Sequence, residues 1–109
     1  METTTITGNI YGNIANNGGG LYLTNSPFNT ITGNVFTNVA NSSGGGVYLF
    51  NSDYFTNNGW ITNNYANISG GGVYTNSGHP NSYFGNVSGN SPNDFNWKNQ
   101  KLEMFFQKT

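Results

Sequence analysis

The chain has no cysteine, no arginine and one histidine, and only three Lys and four acids carry charge among its 109 residues. Each shortage excludes a class of function. Without Cys there is no disulfide framework, no thiolate nucleophile and no cysteine-based zinc site. Without Arg, and with a net charge of −1, no clustered cations exist to hold nucleic acid. No run approaches the roughly 18 apolar residues of a spanning helix, so membrane insertion is not expected. The start METTTITGN lacks the basic region and apolar core of a secretion leader. The acids are Glu2, Asp53, Asp94 and Glu103. Only Asp53 falls inside the repeated body described below, where its aligned positions are Pro27 and His79. That supplies neither the carboxylate pair of glycoside hydrolysis nor a calcium cluster. His79 lies in the turn Ser77-Gly78-His79-Pro80, Gly-x-Ser-x-Gly is missing, and the triple glycines lack the lysine of a phosphate loop. No catalytic residue, metal site or cofactor is assigned, and an enzyme is not expected.

What the chain does contain is narrow. Twenty-two Asn, 16 Gly, 12 Thr and 9 Ser make up 59 of the 109 residues. Disordered chains combine high charge with few aromatics. Here charged residues are 6 % and aromatics 16 %, and the aromatics recur in register. Triple glycines stand at 18–20, 44–46 and 70–72, each followed by an aliphatic residue and a tyrosine: Leu21-Tyr22, Val47-Tyr48 and Val73-Tyr74. Asn-x-Ala-Asn occurs at 13–16, 38–41 and 64–67 and returns as Asn90-Ser91-Pro92-Asn93. Gly8, Gly33, Gly59 and Gly85 keep the same spacing, as do Ile10, Val35, Ile61 and Val87. A shared period of 25–26 residues is the signature of a stacked repeat.

Composition decides which repeat. Helical repeats need Ala, Leu, Glu and Lys at a 3.6-residue spacing, whereas Asn, Gly and Thr are poor in helix interiors. Short alternating runs such as Thr5-Ile6-Thr7, Thr30-Ile31-Thr32 and Leu21-Tyr22-Leu23 read as strands bounded by Gly and Asn turns. The expectation is an all-β fold, a parallel β-helix of three to four coils, each about 4.8 Å further along the axis. In such a stack Asn13, Asn38, Asn64 and Asn90 form a ladder that satisfies inward amides. Like charges one rung apart would repel, which explains the low charge. Ile10/Val35/Ile61/Val87 and Leu21/Val47/Val73 form inward aliphatic columns, with Leu23/Leu49/Thr75 a weaker third. Alternation then turns Tyr22, Tyr48 and Tyr74 outward.

The unit Ile-Thr-Gly-Asn, followed by Asn-x-Ala-Asn-x-x-Gly-Gly-Gly-Val-Tyr, resembles the right-handed parallel β-helix repeats of large prokaryotic cell-surface proteins. These are adhesin-like proteins and, more distantly, polymorphic outer-membrane proteins of autotransporter type. Phe55-Thr56-Asn57-Asn58 is similar to the Phe-x-x-Asn element found beside Gly-Gly-aliphatic motifs there. The stretch Val87–Asp94 resembles the point where such arrays close. The resemblance covers roughly residues 4–95. It implies a right-handed solenoid, an extracellular or cell-surface location and a structural or adhesive role.

Residues 1–93 therefore read as β-helix repeats and 94–109 as a C-terminal cap or docking segment. Where a fourth triple glycine is due, the chain reads Asn96-Trp97-Lys98. All three Lys fall in this tail, with a new apolar set that includes Phe95, Trp97, Leu102, Phe105 and Phe106. A solenoid's last coil exposes a core cross-section and a strand edge that need covering. The function expected is a non-catalytic extracellular stalk or fibre. Its partner would be a second copy, or the continuation of a longer β-helix, stacked end to end. The alternative is a carbohydrate-binding module that uses Tyr22, Tyr48 and Tyr74 to hold glycans. A third reading is ice binding through Thr5/Thr30 and Thr7/Thr32, an array two coils deep, or a polysaccharide-active enzyme. Three Asn-x-Ser motifs, at Asn41, Asn67 and Asn86, are what an Asn-rich chain produces by chance.

Overall fold

The computed structural model describes residues 4–76, 82–83, 85–97 and 105–106. All regular structure among them is β-strand, arranged as a parallel β-solenoid of about three turns onto which the next pass continues. Each turn contributes one strand to each of four sheets. Sheet I stacks Thr4–Ile6, Asn29–Ile31, Thr56–Asn57, Ser82–Tyr83 and Phe105–Phe106. Sheet II stacks Ile10–Tyr11, Asn34–Phe36, Trp60–Thr62 and Asn86–Ser88. Sheet III stacks Ile14–Asn17, Val39–Ser43 and Tyr65–Ala66. Sheet IV stacks Leu21–Thr24, Val47–Phe50, Val73–Asn76 and Phe95–Trp97. Every pairing is parallel and places repeat-equivalent residues opposite one another, so Ile10, Val35, Ile61 and Val87 stand in one column.

The core follows from the alternation. Ile31, Val35, Val47, Leu49, Phe55, Ile61 and Val73 are buried together, with Ile6, Ile10, Leu21, Leu23, Val87 and Phe95 packed against them. Beside them Ala15, Ala40 and Ala66 form a column of small side chains in sheet III. Among the described residues, polar side chains interrupt the aliphatic columns at Thr75, which follows Leu49 in register, and at Asn57. Asn57 follows Ile31 in register and is fully buried, its Oδ1 accepting the Gly59 N–H at 3.1 Å while its Nδ2 has no partner.

The change from a 25- to a 26-residue period has a local cause. Ile14 and Ala15 pair with Val39 and Ala40, 25 residues on, but Asn17 pairs with Ser43, 26 residues on. The extra residue of the second coil is absorbed as an irregularity in sheet III, and every later column keeps a step of 26 until Val73.

The corners are left-handed. Gly18, Gly44 and Gly70 have φ of 66°, 71° and 66°, a region that glycine enters without a Cβ penalty. A second corner stacks Gly12, Thr37, Asn63 and Gly89, all with positive φ. Two more corners use Asn25/Asn51 and Phe28/Tyr54. The last pair is unusual for aromatics, and their rings stack with centroids 4.9 Å apart.

Strand pairing runs across the expected boundary at 93/94. Phe95, read from sequence as part of a cap, pairs with Val73, and Trp97 pairs with Thr75. Phe105 and Phe106 pair with Ser82 and Tyr83. Leu102 and His79 lie outside the described residues. The step from Val73 to Phe95 is 22 residues, against 26 from Val47 to Val73. The fourth pass is therefore a shortened coil, and two side chains make the shortening possible. In earlier coils the Gly18 and Gly44 N–H groups donate to the carbonyls of Ser43 and Ser69. The Gly70 N–H donates to Asn93 Oδ1 at 2.7 Å instead. Asp94 supplies the second replacement, within the ladder described next.

Candidate functional site

Two columns carry the candidate residues, one inside the wall and one outside. The inner column is the Asn ladder. The Asn13 N–H and Nδ2 both donate to Asn38 Oδ1, at 3.0 and 3.1 Å. Asn38 donates in the same way to Asn64 Oδ1, at 2.9 and 3.0 Å. Asn64 repeats the pattern onto Asn90 Oδ1, at 2.8 and 3.0 Å. The second carboxamide hydrogen of each rung goes to a carbonyl of the coil before: Asn38 to Ile10, Asn64 to Val35 and Asn90 to Ile61. Asn38 and Asn64 are buried, and this arrangement pairs the polar atoms of both side chains.

The ladder has a direction and a built end. Every rung-to-rung bond is donated toward the C-terminal side and accepted by an Oδ1 that faces the N-terminal side. At the last rung the acceptor is Asp94, whose Oδ1 takes the Asn90 N–H at 3.0 Å and Nδ2 at 2.9 Å. Asp94 stands only four residues beyond Asn90 and does the work of an Asn one whole coil later. A carboxylate accepting two N–H bonds is a stronger terminus than a neutral amide. Asp94→Ala is expected to cost about 1.5–3 kcal/mol in urea unfolding, because the half-buried Asn90 loses the acceptor for its backbone N–H. Asp94→Asn keeps a side-chain oxygen and should cost less than half as much.

The outer column is the tyrosine ladder of sheet IV. Tyr22, Tyr48 and Tyr74 pair in register. Their rings stack with centroids 4.9 Å apart at both steps and interplanar angles of 5° and 12°. Tyr22 is 48 % exposed, and Tyr48 and Tyr74 are half-buried. The flanking strand position adds exposed Phe50. Burial first, then the neighbouring hydroxyls of Tyr74 and Tyr22, push the Tyr48 hydroxyl above its ordinary value of 10.0. The unfolded chain would ionise this group near that ordinary value, while the folded chain resists ionisation. The stability tied to the neutral Tyr48 hydroxyl is thus complete below pH 10 and is lost as the pH rises further. A thermal midpoint level between about pH 7 and 9 and falling above about pH 10 is expected, with a shallower fall in Tyr74→Phe, which removes one of the opposing hydroxyls.

The threonine array differs from its expected depth. Thr56 pairs with Thr30, which pairs with Thr5, so that column is three threonines deep rather than two, and Ser82 continues it. Sequence alignment missed Thr56 because its strand, Thr56–Asn57, lacks the Thr-Ile-Thr pattern of its neighbours. Sequence reading also did not single out the stacked pairs Tyr11–Phe36 and Phe28–Tyr54, at 5.0 and 4.9 Å. The shared period could have found both, since Tyr11 and Phe36 stand 25 apart and Phe28 and Tyr54 stand 26 apart. Among the described residues, no group of three or more His, Cys, Asp or Glu could hold a metal ion. Of the tail residues named from sequence, Phe95 packs against the core, and Trp97, Phe105 and Phe106 lie in strands. Comparison with protein-family models, with curated proteins and with solved structures finds no match for this chain.

Proposed function

We propose that this chain is a non-catalytic structural or interaction segment, a rigid solenoid that builds a stalk or fibre at a cell surface or outside the cell. The supporting observation is the continuous Asn13–Asn38–Asn64–Asn90–Asp94 ladder. It couples every turn to the next through side-chain and main-chain hydrogen bonds and so makes the column stiff along its axis. The partner proposed is another copy of the chain or further coils of the same kind, joined end to end through strand edges. Such a contact is heterologous and extends without closing. Binding of glycans by the tyrosine ladder is the weaker reading. Tyr48 has a ring stacked on each face, and a sugar needs a free ring face to stack on.

Electron microscopy of the purified chain at high concentration tests the proposal. Rods or filaments that are lost when residues 95–109 are deleted support it. Monodisperse single particles at every concentration contradict it. A glycan array separates the alternative: specific binding that disappears in Tyr48→Ala would favour the carbohydrate module.

A further inference from the structure

Four stacked ring pairs line the described surface of the solenoid, and they differ chemically. Tyr11 stacks on Phe36 and Tyr54 on Phe28, whereas Tyr22–Tyr48 and Tyr48–Tyr74 join phenol to phenol. Tyr65 points its hydroxyl to Asn67 Oδ1 at 2.8 Å. Two phenols held face to face at 4.9 Å are already a reactant pair, since a radical formed on one finds its partner without diffusion. The ladder is outward and partly exposed, so a surface oxidant can reach it. No Cys exists to intercept the oxidising equivalent.

We propose that the Tyr22–Tyr48–Tyr74 ladder is a site of oxidative cross-linking, where a one-electron oxidant such as a haem peroxidase with hydrogen peroxide joins adjacent coils through dityrosine. Each of two neighbouring phenols gives up one electron and its hydroxyl proton, leaving two phenoxyl radicals. The ring carbons ortho to oxygen couple in a new C–C bond. The two ortho C–H bonds then break, and their protons return to the oxygens to restore both aromatic rings. Hydrogen peroxide accepts the two electrons and two protons and leaves as two waters. The product joins residues 26 apart in sequence and one rung apart in space, a covalent rivet along the axis. The inference rests on ring geometry and stands independently of whether the solenoid forms a stalk or a fibre.

The test treats the 109-residue chain, kept dilute, with haem peroxidase and limiting hydrogen peroxide. Dityrosine fluorescence, intact mass, and peptide mapping after pepsin cleavage are then read. The expected product is a monomer lighter by two hydrogens, with the link mapped to Tyr22–Tyr48 or Tyr48–Tyr74. Tyr48→Phe, which keeps the stacked ring, should lower the intrachain yield at least about tenfold while leaving the melting curve nearly unchanged. Tyr22→Phe should leave only the Tyr48–Tyr74 link. Phe36→Tyr should create a new link to Tyr11, since that ring pair has the same geometry. Intrachain links at Tyr11, Tyr54 or Tyr65 in comparable yield, an intrachain yield unchanged in Tyr48→Phe, or products that are only intermolecular would overturn the proposal.

Discussion

Replacing Asn64 by aspartate is expected to destabilise the chain by about 3–5 kcal/mol at neutral pH. Asn64 is fully enclosed, and its Nδ2 donates to Val35 O and Asn90 Oδ1 while its Oδ1 accepts two bonds from Asn38. Aspartate keeps the acceptor but sets a second oxygen against two oxygens that were receiving hydrogens. It also buries a charge, with no cation among the described residues to pair it. For a domain of about this size each kcal/mol moves the midpoint by about 4–8 °C, so a fall of more than about 12 °C is predicted. The sign of the pH dependence follows from burial. The folded state favours the neutral acid, so the penalty is largest at neutral pH and shrinks as the pH falls and the carboxyl protonates. Asn41→Asp on the exposed column is the control, with an expected cost within about 0.5 kcal/mol. Thermal melts of both variants at two pH values check the claim; equal losses would contradict it.

The second large effect lies in the glycine columns, and it separates space from conformation. Gly59 has no positive φ, yet a Cβ there would lie 1.7 Å from the Gly33 carbonyl oxygen, and one at Gly33 would lie 2.0 Å from Gly8 O. The obstacle is backbone of the adjacent coil, which cannot rotate away. Gly59→Ala therefore requires the two coils to separate locally, and a loss of more than about 4 kcal/mol is expected, among the largest of single-site effects. Gly8 belongs to the same sequence column but has nothing within 4 Å. Gly8→Ala is expected to be neutral or to stabilise by up to about 1 kcal/mol, through the entropy of the unfolded chain. Chemical denaturation of the pair reads the difference directly. Similar costs for the two would show that the coils do not approach as closely as described.

Much of this architecture was legible because a parallel stack writes each structural need once per coil. The Asn ladder, the aliphatic columns and the outward tyrosines each repeat at one period, so sequence spacing became spatial register. Part of what escaped the reading did not repeat. Asn93 keeps its place in the Asn-x-x-Asn period, but the use of its side chain and that of Asp94 as acceptors for a missing rung happens once, at the last rung, with no periodic trace. Thr37, Phe28 and Tyr54 take left-handed corners that their residue types disfavour, so local propensity pointed elsewhere. Thr56 was not aligned with Thr30 because Asn57 occupies the place where Ile6 and Ile31 stand in the earlier coils. The tail's apolar residues read as a cap or docking segment, and their aromatic, strand-favouring character suits the strands in which Phe95–Trp97 and Phe105–Phe106 lie. The chemical role of the outer face has no counterpart in the period, because the repeat records what the coils need from one another and not what they meet.

The central claim is that coils are joined in register by buried carboxamides. Hydrogen exchange of the side-chain amides, followed by NMR, tests it most directly. The Nδ2 hydrogens of Asn38 and Asn64 should exchange only with opening of the solenoid, at least about a thousandfold more slowly than those of exposed Asn41, as expected when exchange reports an opening free energy of several kcal/mol. Exchange of Asn38 and Asn64 as fast as that of Asn41, in a chain that is otherwise folded, would contradict the ladder and the account built on it.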